Sequence, residues 1–442
     1  MTEKKVLIIT YYWPPSGGSG VQRWLKLVKY LPQFGVKPYV FTPENPAFAI
    51  RDESLLKDVP PEAEVIKLPI WEPYDAFFKM SGWFGRKKSA KPTDLVASAG
   101  PKSLFQKLST WVRGNMLIPD PRIFWVRPAA RYLHKYLKEH NIPTIITTGP
   151  PHSMHLIGRR LKRKNPNLTW IADFRDPWSE WGLLDSLMSG SFARNQHRRL
   201  ERCVLKEADK VITVTPFYVR QFEHLGQRRV QLLTNGFDTD DFREVQVRPT
   251  ENFVIRHVGI INEKNNPRPF MLAVKALMEE DAAFRERVRI EFTGEVHPQF
   301  RAFVTADRVL SGISLFMGNV PHKELMGLYG QSSLLLVVLT GYKDAEGYLP
   351  GKLFEYLATG LPVLGVGPEH GDAAVMLNAT GAGAMIDDKN PAAIKAFILN
   401  VFRHWQQGGL KAATGNGHLL YSRKELARSV AAMLEPGSEN HK

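Results

Sequence analysis

Short apolar runs alternate with stretches of helical periodicity along most of the chain. Residues 6–12 form the first run, and residues 21–34 repeat apolar positions at the spacing of a helix face before a second run at 36–42. Short apolar runs bounded by turn residues are typical of buried strands, and strands that alternate with helices predict a parallel sheet. The pattern continues through the second half of the chain, so the expected fold class is α/β with parallel sheets.

The length of the chain predicts two domains, because 442 residues exceed the usual size of one. The first is expected at 1–240, with an insertion at about 70–130, and the second at 250–420. Residues 243–252 are the expected linker, and residues 421–442 are expected to contain a terminal helix.

One loop–helix–strand segment, EGYLPGKLFEYLATGLPVLGV, carries the strongest candidate chemistry. Pro350 suits the start of the helix, because its missing N–H would have no partner there. Gly360 suits the left-handed position that ends a helix. Lys352 and Glu355 are three residues apart, which puts them on one face of the helix.

This short helix could hold both halves of a nucleoside diphosphate. The free N–H groups and the positive dipole at its start attract a phosphate, and the Glu355 carboxylate can accept two hydrogen bonds from a ribose diol. The alternative is an ordinary helix of an α/β domain with an exposed Lys/Glu pair. The residues expected at such a site are Pro350, Gly351, Lys352, Leu353 and Glu355.

The loop after the first strand, residues 14–20, is rich in glycine. Glycines allow a backbone to approach a diphosphate closely. Gly18 and Gly20 match the first two positions of the G-x-G-x-x-G dinucleotide fingerprint, but Arg23 occupies the third. A dehydrogenase is therefore the weaker hypothesis for this loop.

Two further strand ends carry polar candidates. His152 follows a predicted strand, at the kind of strand-to-helix tip where α/β proteins bind ligands. Its alternative is a histidine at a helix start with no role in binding. Asp173, Arg175 and Asp176 follow another predicted strand. They could contact a sugar or an acceptor, or they could form an Arg–Asp lattice that fixes the loop.

The chain has many more basic than acidic side chains, and its formal net charge is +15. This excess indicates an anionic partner: nucleic acid, a phosphorylated substrate or an acidic lipid surface. No nucleic-acid-binding motif accompanies the charge, so nucleic acid is not expected. The single cysteine, Cys203, is consistent with a reducing compartment, and no apolar run has the length of a membrane span. We expect a cytoplasmic protein.

Residues 70–130 interleave aromatic and basic side chains. Trp71, Trp83, Trp111 and Trp125 lie in this stretch, together with the basic run 86–88. Such a mixture suits a membrane interface or a lipid-linked acceptor, which would hold the protein peripherally on the inner face of the cell membrane. The alternative is an insertion with a small core of its own.

The segment PGKLFEYLATGLPVL resembles the C-terminal nucleotide-sugar site of retaining GT-B glycosyltransferases of family 4, the bacterial glycosyltransferase group 1. The resemblance implies two facing Rossmann-like domains, with the donor held by the second and the terminal helix returning to the first. It implies transfer of a sugar from a UDP- or GDP-sugar to an acceptor hydroxyl with retention, in the synthesis of bacterial cell-surface polysaccharide or glycolipid. The implied partners are a nucleotide sugar and a glycan or lipid-linked acceptor.

The resemblance also assigns roles to single residues. His152 would contact the donor sugar or the acceptor, Lys264 would bind the donor phosphates, and Glu346 would be the first of two family glutamates. These three are the catalytic candidates. Eight residues lie between Glu346 and Glu355, one more than the resemblance expects, and Ile260 stands where the family has an arginine. Further donor contacts are implied at Gly17, Gly18, Asn319 and Val320.

Neither a metal nor another cofactor is expected. Asp238 and Asp240 imitate a D-x-D metal motif, but they lie in a turn between the predicted domains. Other hypotheses stay open: a GT-B sugar-nucleotide epimerase, and a nucleotide-sugar-binding protein without catalytic activity, which the displaced Glu346 and the position of Ile260 suggest.

Overall fold

A computed structural model describes residues 3–48, 50–72, 104–180, 183–243, 245–248, 250–341, 344–409 and 416–435. The chain divides into two compact units. Unit 1 consists of Met1–Thr234 and Leu426–Lys442, and unit 2 consists of Asn235–Glu425.

Among the described residues, unit 1 contains a seven-stranded sheet in the order β3-β2-β1-β4-β5-β6-β7, and all neighbouring strands are parallel. The strands are β1 (Lys4–Ile9), β2 (Val36–Pro43), β3 (Glu64–Leu68), β4 (Thr144–Gly149), β5 (Thr169–Phe174), β6 (Lys210–Thr213) and β7 (Gln231–Leu232). The order reverses between β1 and β4, which makes their carboxyl ends the expected ligand-binding edge.

The helices of unit 1 lie between these strands in sequence. They are α1 (Ser19–Tyr30), α2 (Leu104–Asn115), α3 (Val126–Glu139), α4 (Ser153–Lys164), α5 (Leu183–Ser186), α6 (Ser191–Glu207) and α7 (Pro216–Gly226). The predicted helix at 21–34 is α1 followed by a 3₁₀ turn, Leu31–Phe34, which ends at Gly35 with φ of 71°. A left-handed backbone of this kind favours glycine.

The core of unit 1 lies on both faces of its sheet. Successive side chains of β1 point to opposite faces, so Leu7 packs in one apolar cluster and Val6 in the other. The second cluster contains Trp24 of α1 and also Leu426 and Val430, which come from the far end of the chain. The last helix, Arg423–Met433, contributes its residues from Leu426 onward to unit 1.

Unit 2 contains a parallel sheet in the order β10-β9-β8-β11-β12-β13, six strands within the part of the chain that is described. The strands are β8 (Phe253–Val258), β9 (Val288–Thr293), β10 (Ser314–Gly318), β11 (Leu334–Val338), β12 (Val363–Val366) and β13 (Gly383–Ile386). The order reverses between β8 and β11, so the loops after these two strands meet at the ligand-binding edge of this sheet.

The helices of unit 2 again alternate with strands. They are α8 (Arg268–Glu280), α9 (Ala282–Arg287), α10 (Pro298–Ala306), α11 (Arg308–Ile313), α12 (His322–Gly330), α13 (Gly351–Thr359), α14 (Asp372–Thr380) and α15 (Pro391–Gln406), and α16 (Arg423–Met433) completes the chain. Helix α13 ends at Gly360 with φ of 70°, as the sequence predicts. Strand β12 begins at Val363, directly after Pro362, which has no N–H for the ladder.

Some expectations about segment boundaries need correction. Residues 243–252 belong to unit 2 rather than to a free linker, because Val245 and Val247 pack against its core. Helix α3 begins at Val126. It follows a 3₁₀ turn whose first N–H groups are capped by Asp120.

The tryptophans of residues 70–130, the stretch that interleaves aromatic and basic side chains, differ in their exposure. Trp125 is 1% exposed and stacks on Phe41 at 4.9 Å, so it is a core residue and not part of an interface. Trp71 and Trp111 are exposed. Trp83 and the basic run 86–88 lie outside the described residues. No helix in the described parts of the chain is long and apolar enough to cross a membrane.

Candidate functional site

At the carboxyl end of β8, the backbone of unit 2 meets the side chain of Lys352. Gly259 follows β8 with φ of 128°, and its N–H donates to Thr293 O at 2.8 Å. A Cβ added at this glycine would collide with Nζ of Lys352 and would lie 2.9 Å from Cε. The Lys352 ammonium therefore lies directly against the bare backbone at the end of the central strand.

Lys352 makes no hydrogen bond or ion pair with the described residues. Burial lowers its pKa to about 8, while the charge of Glu355 acts in the opposite direction. The same ammonium helps to keep the buried His257 neutral, because burial first and Lys352 second lower the pKa of that imidazole. A partly buried cation without a protein partner is the group that an anionic ligand can stabilise.

The N-terminus of α13 lies beside this cation, because Lys352 is the second residue of the helix. Pro350 is the N-cap residue, and no acidic side chain lies in the first turn. The N–H of Leu353 donates to Pro350 O at 3.0 Å. The side chain of Leu353 is fully buried in the apolar core, so any ligand contact predicted for it is restricted to its backbone. The start of α13 has the N–H groups and the dipole that favour a phosphate.

Glu355 lies one turn into α13 and accepts a hydrogen bond from a tyrosine of α12. Tyr329 Oη donates to Glu355 Oε2 at 2.6 Å. The pKa of the Tyr329 phenol is raised, by burial first and by Glu355 second, so the tyrosine stays protonated as the donor. The tyrosine was not identified from the sequence, since it precedes Glu355 by 26 residues.

Lys264 lies in the loop after β8, on a turn built by two asparagines. Asn262 Oδ1 accepts from the N–H of Lys264 at 2.8 Å, and Asn265 Nδ2 donates to Ile260 O at 2.8 Å. The Lys264 side chain is exposed, as is Ile260 at 58%. Arg268, the first residue of α8, has its guanidinium over the Phe303 ring at 4.6 Å.

The remaining unit 2 candidates lie on loops. Glu346 is exposed on a 3₁₀ turn, Ala345–Gly347, whose backbone packs closely against Gly371. Asn319 and Val320 follow β10, a strand at the edge of the sheet. Gly318 before them has φ of 70°, and its carbonyl accepts from Gly294 N at 2.7 Å.

At the carboxyl end of β1 in unit 1, the glycine loop packs against a second segment. Gly17 N donates to Ile50 O at 2.9 Å, and a Cβ at Gly17 would lie 2.8 Å from Ile50 Cγ2. Gly18 has φ of 85° and is the N-cap residue of α1. Both positions therefore require glycine for structural reasons, whatever ligand the loop binds.

Asp173 is fully buried at the end of β5 and its carboxylate is satisfied by the protein. It accepts two hydrogen bonds from the Arg23 guanidinium, at 2.9 and 3.1 Å, one from Trp24 Nε1 at 2.7 Å and one from Thr148 Oγ1 at 2.9 Å. The pKa of Asp173 is lowered, since the effect of Arg23 and the other donors exceeds that of burial. This geometry favours the lattice interpretation, with Arg23 as the partner that local sequence did not identify.

Arg175 fixes the loop around it through three carbonyls. Its Nη1 donates to Gly20 O at 2.8 Å, its Nε donates to Gly149 O at 3.2 Å, and its Nη2 contacts Pro150 O. Asp176 makes no hydrogen bond with the described residues. Burial raises the pKa of Asp176, while Arg175 opposes that shift.

His152 is buried at the start of α4, with 4% of its surface exposed. Its ring lies flat on Trp178, with centroids 4.9 Å apart. Burial lowers the pKa of His152 well below its ordinary value, so the imidazole is neutral at physiological pH. A neutral imidazole can exchange hydrogen bonds with a sugar, but it does not supply positive charge.

In the described residues, no group of three or more histidine, cysteine or acidic side chains is placed to hold a metal. Asp238 instead caps a 3₁₀ turn, with its carboxylate accepting from Asp240 N at 3.1 Å.

Residues 17–236 match the family model of the glycosyl transferase 4-like domain. The match supports the prediction of a glycosyltransferase, an enzyme of the EC 2.4 type. A comparison with curated proteins finds no significant match.

Several solved structures share the fold at low sequence identity. A glycosyltransferase from Rickettsia africae ESF-5 has a TM-score of 0.63 at 13% identity, covering 99% of this chain and all of its own. An α,α-trehalose-phosphate synthase from Burkholderia xenovorans has a TM-score of 0.57 at 11% identity, covering 98% and 100%. A putative UDP-N-acetylglucosamine 2-epimerase from Listeria monocytogenes has a TM-score of 0.55 at 14% identity, covering 98% and 96%. These likenesses confirm the α/β fold with two Rossmann-like domains.

Proposed function

We propose that the protein transfers a sugar from a nucleoside-diphosphate sugar, a UDP- or GDP-sugar, to an acceptor hydroxyl with retention of configuration. Unit 2 binds the donor, at the loops after β8 and β11 and the start of α13. The observation that carries the proposal is the Lys352 ammonium, which lies against Gly259 beside the N-terminus of α13 without a partner among the described residues.

Each part of a nucleotide diphosphate has a counterpart in unit 2. Lys352 and the α13 N–H groups bind the diphosphate, and the exposed Lys264 adds a second cation. Glu355, oriented by Tyr329, accepts hydrogen bonds from the ribose diol. The backbone at Asn319 and Val320 reads the edge of the base. Glu346 contacts the sugar from the loop after β11.

The chemistry requires a diphosphate leaving group that can take negative charge as the glycosidic bond breaks. Fixed cations and helix N–H groups stabilise that charge where it develops, which lowers the barrier more than it tightens ground-state binding. We propose that a leaving phosphate oxygen takes the proton from the acceptor hydroxyl. This assignment accounts for retention without a dedicated pair of catalytic carboxylates.

Unit 1 supplies groups for the sugar and the acceptor. His152 donates or accepts one hydrogen bond as a neutral imidazole, and Arg175 and Asp176 contact acceptor hydroxyls. Asp173 has a positioning role through Arg23 and Thr148. We propose an acceptor on a glycan or lipid at a bacterial membrane surface, in polysaccharide or glycolipid synthesis, because the chain carries an excess of positive charge.

A thermal-shift panel of nucleotides and nucleotide sugars tests donor binding, because a ligand that binds only the folded state raises the melting temperature. We expect one nucleoside diphosphate and its sugars to stabilise the protein, and nicotinamide dinucleotides to have no effect.

Release of the nucleotide from the best donor is then followed with and without membrane lipid extract. Acceptor-dependent release supports transfer. Release of the nucleotide, or interconversion of the donor sugar, without an acceptor indicates an epimerase. Binding of the donor without turnover indicates a non-enzymatic protein.

A further inference from the structure

A cavity of about 830 Å³ lies on the surface of unit 1, away from the residues proposed to take part in transfer. The first turns of α3 and the length of α4 form most of it, and Leu200 of α6 closes it. Its lining has an apolar part and a basic part: Ile123, Phe124, Val126, Ala130, Leu156 and Leu200, and Arg127, Arg131, Arg159, Arg160, Arg163 and Lys164. No acidic residue is among these lining residues.

Neighbouring acids neutralise only part of this positive charge. Glu207 pairs with Arg159 at 2.7 Å and with Arg163 at 2.8 Å. Four lining cations, Arg127, Arg131, Arg160 and Lys164, have no ion pair with any described residue.

Helix ends account for only part of this positive charge. Cations are favourable in the last turn of a helix, which explains Arg163 and Lys164 of α4. Arg127, however, is the second residue of α3, where the helix dipole disfavours a positive charge. A cation kept at an unfavourable helix position, beside other unpaired cations, indicates a binding surface for an anion.

An exposed aromatic pair adjoins the cavity. Phe124, which lines it, meets Trp71 edge to face with ring centroids 4.9 Å apart, and the two are 48% and 58% exposed. Aromatic rings beside lysine and arginine are typical of surfaces that lie at the level of lipid headgroups. The apolar floor also suits the glycerol and first methylenes of a lipid better than it suits a nucleic-acid backbone.

We propose that this cavity binds the headgroup of an anionic phospholipid, with Trp71 and Phe124 lying in the interfacial layer of the membrane. The proposal gives a location to the membrane surface named in the proposed function, and it rests on that part of the proposed function alone. Donor binding in unit 2 uses different residues, so either proposal can fail while the other stands.

The experiment is co-sedimentation of the full chain with vesicles of phosphatidylcholine, with and without phosphatidylglycerol. We compare the wild type with the variant Arg127→Gln, Arg131→Gln and Arg160→Gln. The matched control removes three exposed arginines of unit 2, Arg285→Gln, Arg308→Gln and Arg403→Gln. The wild type should bind only the anionic vesicles and should dissociate as salt rises. The cavity variant should bind on the order of a hundredfold more weakly, at about fivefold per cation, and the control should stay within about threefold of the wild type.

The aromatic pair gives a second, independent variant. Trp71→Ala with Phe124→Ala should weaken binding to anionic vesicles several-fold, while Phe192→Ala, at an exposed phenylalanine elsewhere on unit 1, should not. A melting temperature without ligand equal to that of the wild type shows that each variant is folded, and an equal nucleotide thermal shift shows that donor binding is intact.

Several results would overturn the proposal. They are failure of the wild type to bind anionic vesicles, equal binding to neutral vesicles, and equal loss in the cavity and control variants. Loss of binding in a variant of the basic run 86–88 with no loss in the cavity variant would place the membrane contact there instead. Binding of an oligonucleotide as tightly as vesicles, lost in the same cavity variant, would identify a nucleic-acid surface.

Discussion

The ligand-binding edges of the two sheets both carry buried or partly buried polar side chains, but these differ in whether the protein supplies their partners. At the edge of unit 1, Asp173 accepts four hydrogen bonds from within the protein, and His152 is stacked on Trp178. At the edge of unit 2, the Lys352 ammonium has no partner among the described residues. A buried charge whose partners are supplied by the fold stabilises the fold, whereas a partly buried charge without partners weakens it and can be compensated by a ligand.

Replacing Asp173 should give the largest change in stability. Asp173→Asn removes the charge that compensates the buried Arg23, and breaking a buried ion pair costs about 3–5 kcal/mol. The melting temperature should fall steeply, as measured by calorimetry. Asp185→Asn, at an exposed ion pair with Arg194, should change stability by less than about 1 kcal/mol. Equal effects of the two substitutions would show that the Asp173 network does not stabilise the fold.

Replacing Lys352 should weaken ligand binding without lowering the stability of the fold. Lys352→Ala should weaken binding of a nucleoside diphosphate roughly 10- to 150-fold, because a charge-assisted contact is worth about 1.5–3 kcal/mol. The melting temperature without ligand should stay unchanged or rise, since a desolvated cation is removed. Lys389→Ala, an exposed lysine of the same unit, is the control for titration calorimetry. A stability loss with unchanged affinity would make Lys352 a structural residue.

Glu355→Gln should weaken nucleoside-diphosphate and donor binding together, by about tenfold, because both ligands carry the ribose. Tyr329→Phe should weaken them less, since it removes only the bond that orients the carboxylate. Affinities of the donor and of the free nucleotide that respond differently to Glu355→Gln would contradict the assignment to the ribose.

The smallest effect on nucleotide binding is expected for His152. His152→Ala should slow transfer about tenfold, the cost of one hydrogen bond to the reacting sugar, and leave affinity for the free nucleotide within about twofold. Initial rates and nucleotide titrations separate the two quantities. If His152→Ala weakens nucleotide binding and Glu355→Gln does not, the roles of the two units are reversed.

Local sequence predicted the features that depend on neighbouring residues. The end of α13 at Gly360 is confirmed, because the left-handed backbone that glycine adopts is a local property. The α/β fold was predictable from the alternation of strand and helix patterns. The membership of 243–252 in unit 2 was not, since it depends on packing of Val245 and Val247 against distant residues.

Most contacts at the site that could not be predicted from the sequence join residues that are distant in the chain. Arg23 was noted only as an exception to a glycine pattern, and it meets Asp173 across 150 residues. Gly259 and Tyr329 were not identified, because their contacts with Lys352 and Glu355 form only after the sheet assembles. Leu353 was grouped with the binding residues by its place in the motif, although its side chain belongs to the core.

The pH dependence of nucleotide affinity tests the central claim, that the uncompensated Lys352 ammonium binds the donor diphosphate. Burial lowers the pKa of Lys352 to about 8, so above that pH the free protein must take up a proton before it can bind the anion. The affinity of the wild type for UDP or GDP should therefore be nearly constant from about pH 7, where the terminal phosphate is ionised, to pH 8, and it should fall about tenfold per pH unit above pH 8. Lys352→Arg, whose charge does not titrate in this range, should bind with an affinity that is flat across the same range. The same decline in both proteins, or no decline in the wild type, would contradict the claim.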